Sequence, residues 1–186
     1  MNVVIAPKRH RITVDEFHRM GEAGIFSEDE RVELVEGEII DMAPIGTRHA
    51  ETVRRLIQVI SSQLPSIALL DVQNPIYLDE NNLPQPDLTL LKNQSYIDTH
   101  PSSRDVLLLI EVADTSLDYD RNVKIPLYAR HKIPEVWLID LEDQVVEVYR
   151  DATRQEYASV QTYRKGKIIQ AEVIAGIQLN PVKLFD

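Results

Sequence analysis

The chain has 186 residues with 10 prolines, 6 glycines and no cysteine, and 44% of its side chains are hydrophobic and 27% charged. These proportions exclude collagen-like, disordered and disulfide-stapled classes, and the lack of cysteine excludes a thiolate metal site and a cysteine nucleophile. Thirty acidic against 20 basic side chains give a formal charge of −10, the wrong sign for coating nucleic acid through a general basic field.

The length predicts one domain over 1–186 with a single core. Residues 1–8 hold too few apolar side chains before Pro7 for a leader, and no window approaches a membrane span, so the expected location is the cytoplasm. Thr13 followed by Glu16 is a capping-box pattern, and Val14, Phe17 and Met20 continue at helical spacing to Gly21 and Gly24, predicting a short helix. Residues 31–34 and 38–42 alternate around Val35-Glu36-Gly37, which predicts a hairpin. From 46 to 64, Ala50, Val53, Leu56, Ile57, Ile60 and Leu64 form one apolar stripe, the mark of a long helix.

Strands are expected at 67–72, 76–78 and 87–91, then a polar connection over 92–104 with room for one helical turn. Residues 105–113 hold seven apolar side chains in nine, short and branched enough for a central strand covered on both faces. Residues 118–131 read as a helix capped by Asp118 or Asp120, with Pro126 in or near its first turns. Two strands at 135–141 and 145–150 and weaker ones at 156–163 and 168–173 complete the chain. This order predicts an α/β or α+β fold, a mixed sheet flanked by helices. It divides into an N-terminal helix and hairpin (1–45), a core (46–141) and C-terminal strands (142–186).

Glu111 lies inside the apolar run 106–112, where an ionised carboxylate needs a cation or a proton. It either faces water or an arginine at the strand end, or is one of several acids gathered round a metal. Pro86-Asp87 opens a second strand with another carboxylate; the dipeptide is common in turns, but two adjacent strands each presenting an acid can serve one hard cation. Helical spacing puts Lys124 on the side of Tyr128, about one turn beyond Asp118 and Asp120. There it is either a solvated lysine or an ammonium inside the acid cluster. Tyr128 and Trp137 read as core aromatics and Glu36-Gly37 as a turn. His10, His18, His100 and His131 have no metal-ligand spacing, and there is no glycine-rich phosphate loop.

Taken together, the run 31–38 (RVELVEGE), His49 opening a helix, Gln85-Pro86-Asp87, Ile110-Glu111-Val112, Asp120 to Lys124, Tyr128 and the run 133–140 (IPEVWLID) resemble the Uma2 family, also known as DUF820. The resemblance covers about residues 10 to 180. It implies a restriction endonuclease with the PD-(D/E)XK fold, that is, a DNA-cleaving, Mg²⁺-dependent (or Mn²⁺-dependent) phosphodiesterase. On this likeness Asp87 and Glu111 become metal ligands, Lys124 the catalytic lysine, and Glu33 and His49 accessory residues. The sequence departs from the basic pattern at Ala113, two residues after Glu111, so the lysine comes from the following helix. DNA and a second copy of the chain are the expected partners, with Arg48, Arg54, Arg55, Arg121 and Arg130 as candidates for a local basic patch. The rival reading is a catalytically silent binding or assembly domain on the same scaffold. The two divide on geometry: catalysis requires Asp87, Glu111 and Lys124 to converge.

Overall fold

The computed structural model describes residues 8–27 and 29–185; the stretch before Pro7, read above as carrying no leader, lies outside the described residues. Helix α1 (Val14–Glu22) begins as its sequence dictates: Thr13 caps the Glu16 amide while the Glu16 carboxylate accepts from the Thr13 N–H. The hairpin forms as β1 (Val32–Val35) and β2 (Glu38–Asp41), closed by Glu36 and Gly37, both at positive φ. A side chain at Gly37 would collide with the Cβ of Arg11, so the turn needs glycine for space as well as for conformation. Helix α2 (Thr47–Ser61) buries Val53, Leu56 and Ile60, the predicted stripe.

A six-stranded mixed sheet follows, ordered β3 (Ala68–Val72), β4 (Leu88–Lys92), β5 (Val106–Ala113), β6 (Glu135–Asp140), β7 (Val145–Ala152) and β8 (Tyr157–Tyr163). Neighbours are antiparallel except β5 and β6, which run parallel. A parallel pair needs a crossover, and residues 114–134 supply it with a helical run. That run comprises α3 (Leu117–Tyr119), a π-helical segment (Asp120–Lys124) and α4 (Ile125–Arg130).

Strand β5 has both faces buried. Leu108, Ile110 and Val112 pack with α2, whereas Leu109 and Ala113 pack with Ile125, Leu127 and Tyr128 of α4. The two-residue period then aims Glu111 at the α4 side. Leu108→Ala is expected to cost about 2–5 kcal/mol, because Leu108 is fully buried at the centre of this layer. Urea unfolding followed by the fluorescence of Trp137, the single tryptophan, measures it.

Four expectations are corrected. Residues 76–78 form no strand: Tyr77 makes only an isolated bridge to Ser102, since the neighbouring chain runs on into the Asp79–Asn82 turn rather than offering an edge. The connection 93–104 holds no helical turn. The helical run opens at Ser116 instead of Asp118 or Asp120, and Pro126 sits deep within it; the π-type bond from the Ile125 N–H to the Asp120 carbonyl lies just before this residue, which has no N–H to give. Of the strand expected at 168–173, only β9 (Ile169–Gln170) forms, and it pairs with β10 (Gln178–Leu179) in a ribbon apart from the sheet. Glu135 holds that ribbon in place: its carboxylate accepts from Trp137, Arg150 and the Glu172 N–H, and Arg150 also donates to the Gln170 carbonyl. The short helix α5 (Val182–Phe185) then packs against α2. No described helix is long and apolar enough to cross a membrane.

Candidate active site

Glu111, Lys124 and Glu33 come together in the interior, all at most 3% exposed. Lys124 Nζ lies 2.8 Å from Glu111 Oε1 and 3.3 Å from Glu33 Oε2, and the Tyr128 hydroxyl donates to Glu111 Oε1 at 2.5 Å. Lys124 and Tyr128 therefore share one carboxylate oxygen, as their four-residue separation allows. The π segment contributes as well: its wider turn carries Asp120 and Lys124 together into the interior, both buried. Ser116 donates to Asp120 Oδ2 at 2.5 Å.

Asp87 is fixed from three sides. Its Oδ2 accepts from the Val112 N–H at 2.9 Å and faces His49 Nε2 at 3.1 Å, while Gln73 donates to Oδ1 at 3.1 Å. The Asp87 N–H in turn points at Glu111 Oε2, 3.4 Å away, which ties the two acidic positions across β4 and β5. Glu33 reaches over from the hairpin and accepts from the Gln85 N–H at 2.9 Å, so β1 holds the loop that presents Asp87.

These side chains line a cavity of about 380 Å³, closed on the hairpin side by Ile40 and Met42 and on the helical side by Ser116 and Tyr119. Two buried polar atoms in its wall, His49 Nδ1 and the Tyr119 hydroxyl, have no hydrogen-bond partner among the described residues. Such groups cost about 1–3 kcal/mol each unless something else satisfies them.

Glu33, Asp87, Glu111 and Asp120 line the cavity with Lys124 and His49, and burial is the first cause of the shifts at Glu111 and Asp120. Burial pushes the Glu111 carboxyl up to about 8, with the charges of Asp120 and Asp87 adding to the effect against the pull of Lys124. Burial likewise raises Asp120. Burial alone would lower Lys124, but Glu111 and Glu33 override it and the ammonium keeps its proton. Asp87 differs: burial pushes it up, yet the hydrogen bonds from His49, Gln73 and Val112 hold it below its ordinary value. The bond to Asp87 raises His49.

A pH dependence follows. Between its ordinary value of 4.5 and about 8, Glu111 in the folded, chelator-treated protein holds a proton that the unfolded chain has released. Stability therefore falls as pH rises through this window. Glu111→Gln is expected to flatten the decline and to raise Tm at the alkaline end by about 2–4 °C for each kcal/mol relieved, checked by thermal unfolding across pH.

The sequence located Asp87, Glu111, Lys124, Glu33 and His49, and the fold brings all five to one cavity. It missed Asp120, read as a cap, and the hydroxyl of Tyr128, read as core; the spacing of 120, 124 and 128 was the available signal. Gln73 left none, and Gln85 entered only as the first residue of the Gln85-Pro86-Asp87 motif. The basic-patch arginines are all engaged elsewhere: Arg54 and Arg55 with Glu51, Arg48 with Asp114, Arg121 with Glu147 and Arg130 with Glu36.

The sheet order, the helix on each face and the acid–lysine cluster beside the parallel pair define a protein of restriction-endonuclease-like fold. Among solved structures, the chain is similar to a putative nuclease belonging to DUF820 from Anabaena variabilis ATCC 29413, with TM-score 0.71, 18% identity, and coverage of 94% of this chain and 97% of that one. The chain belongs to the Uma2 family, whose model, described as "Putative restriction endonuclease", matches residues 14–182. A comparison with curated proteins gave no match.

Proposed function

We propose that this protein is a metal-dependent endonuclease hydrolysing DNA phosphodiesters, with Asp87 and Glu111 as ligands of Mg²⁺ or Mn²⁺ and Lys124 as the residue that orients the attacking water. The observation carrying this reading is the burial of Lys124 against Glu111 beside Asp87. A silent scaffold has no need to hold four acids round one ammonium in its interior, an arrangement that costs stability.

The residues fit a hard dication by charge and by donor type. Glu111 Oε2 accepts one long bond, and the local acid excess keeps Glu111 short of positive charge. Among the described residues no three His, Asp or Glu side chains form a ready cage; the proposed site instead rests on two carboxylates, and Mg²⁺ is usually held by one or two carboxylates plus waters and phosphate oxygens. Once bound, such an ion polarises the phosphate and lowers the pKa of water.

The chain's own residues do the rest. Lys124 keeps its proton, so Nζ acts as a donor and point charge, not as a base, and of its three hydrogens two are committed to Glu111 and Glu33. The third is free to orient a water or meet a phosphate oxygen. Tyr128 fixes the rotamer of Glu111, and His49 and Gln73 fix that of Asp87. Glu33 locks the Asp87 loop against the hairpin. Supplying the lysine from the helix leaves the strand position at Ala113 free to pack against α4. We further propose that 1–186 is one domain acting as a homodimer, since each chain carries one cluster and a double-strand cut needs two.

The test is calorimetry with Mg²⁺ and Mn²⁺ on the chelator-treated protein together with plasmid cleavage. Metal binding with cleavage is the expected result; a folded protein that binds neither ion leaves the scaffold as a silent binding domain.

A further inference from the structure

The three cationic side chains lining the cavity are Arg31, His49 and Lys124. Two are already paired with carboxyl groups, Lys124 with Glu111 and Glu33 and His49 with Asp87. Among the described residues Arg31 makes no ion pair or side-chain hydrogen bond, although it is only partly exposed. Its backbone is fixed, because the Arg31 carbonyl accepts from the Met42 N–H at 2.9 Å, so the residue starts from a defined position at the mouth of the hairpin. It also stands at a junction. Arg31 and Gln85 line both the acid cavity and a neighbouring hollow, where Phe17, Phe26 and Val32 stand with His18, Glu22 and Glu30. In a protein of net charge −10, a partly buried arginine that lines two hollows and is bonded to no carboxylate among the described residues is a cation held in reserve for an anion from outside.

We infer that Arg31 is the backbone-phosphate anchor of the site, gripping a phosphate of the nucleic-acid strand that passes from the acid cavity towards the Phe17–Phe26 hollow. This assignment rests on the nucleic-acid substrate of the preceding section and not on hydrolysis itself. A guanidinium suits the role because its planar fork can give two parallel hydrogen bonds to one phosphate, whereas Lys124 is spent on the carboxylates. A phosphate on Arg31 brings the next diester towards Asp87 and Glu111, which line the same cavity.

Fluorescence anisotropy of a labelled short DNA duplex, titrated with the full chain in Ca²⁺ over a range of salt concentrations, tests the assignment. Arg31→Gln is expected to weaken binding about tenfold at low salt and to lower the slope of log K against log salt by about one, the signature of one lost phosphate contact. Arg31→Lys should recover the slope but only part of the affinity, and Arg154→Gln, an exposed arginine on the β7–β8 turn, should change neither. Because Arg31 has no side-chain partner among the described residues, Tm should stay at the wild-type value. An unchanged affinity and slope in Arg31→Gln overturns the assignment, and so does a wild type that fails to bind the duplex at all. If binding responds as expected while Mg²⁺ elicits no cleavage from the wild type, the assignment stands and the hydrolytic reading falls.

Discussion

Asp87→Ala and Glu111→Ala are each expected to abolish calorimetrically detectable Mg²⁺ binding and to lower plasmid cleavage by about 10³-fold or more, the scale on which removing one preorganised electrostatic partner of a transition state is felt. The two substitutions should differ in stability. Asp87 carries the Val112 N–H, His49 and Gln73, so truncation strands a buried backbone donor at a cost of about 1–3 kcal/mol. Asp87→Asn keeps an acceptor for that N–H and removes the charge, and is expected to fold normally while remaining inactive. Glu111→Ala strands side chains instead, the buried Lys124 ammonium and the Tyr128 hydroxyl, whereas Glu111→Gln keeps an acceptor for both and removes one charge from the cluster. A Glu111→Gln protein that loses activity while gaining Tm at alkaline pH marks a carboxylate retained for chemistry rather than for folding. Cleavage by well-folded Asp87→Asn at the wild-type rate would sink the proposed ligand set.

Lys124→Met has the second-largest expected effect, and it separates metal binding from turnover. Metal affinity should survive, because the carboxylates remain, while cleavage falls by about 10²–10³-fold with the loss of a positioned donor. The substitution also leaves Glu33 and Glu111 buried without their ammonium, a loss expected to cost about 3–5 kcal/mol. Sign and pH dependence make this cost recognisable. At low pH the freed carboxyls take up protons and the deficit shrinks; as pH rises they must ionise without a partner and the deficit grows. Urea unfolding at acid and alkaline pH measures the widening gap. If folded Lys124→Met cuts DNA as fast as the wild type, Lys124 is a structural counter-ion and the attacking water is oriented by another group.

Local rules carried far along this chain. The Thr13–Glu16 box, the Gly37 turn and the 3.6-residue stripe of α2 are settled by neighbours a few positions apart, so the sequence alone sufficed for them. Strand β5 was legible because seven apolar residues in nine leave little choice but burial on both faces. Expectation failed where pairing depended on a distant partner. Residues 76–78 and 168–173 have strand-like composition, but the first finds only an isolated bridge and the second is drawn into a ribbon pinned by Glu135.

The site divides in the same way. An acid inside an apolar strand, an acid after a proline and a lysine on the next helix are visible as chemical anomalies, and the motifs around them are short-range patterns that a family resemblance can join. That is what the sequence determined: which side chains are out of place in a core, and the class of fold that has room for them. The tertiary structure decided how they are satisfied. Tyr128 is at once a core aromatic and the orienting donor of Glu111, Gln73 and the Val112 N–H hold Asp87, and the candidate patch arginines are tied up by carboxylates while, among the described residues, Arg31 alone of the cavity cations has no carboxyl partner. Hydrogen bonds and ion pairs depend on ångström distances between residues tens of positions apart, and only the sheet register and the π-turn of the crossover helix fix those distances.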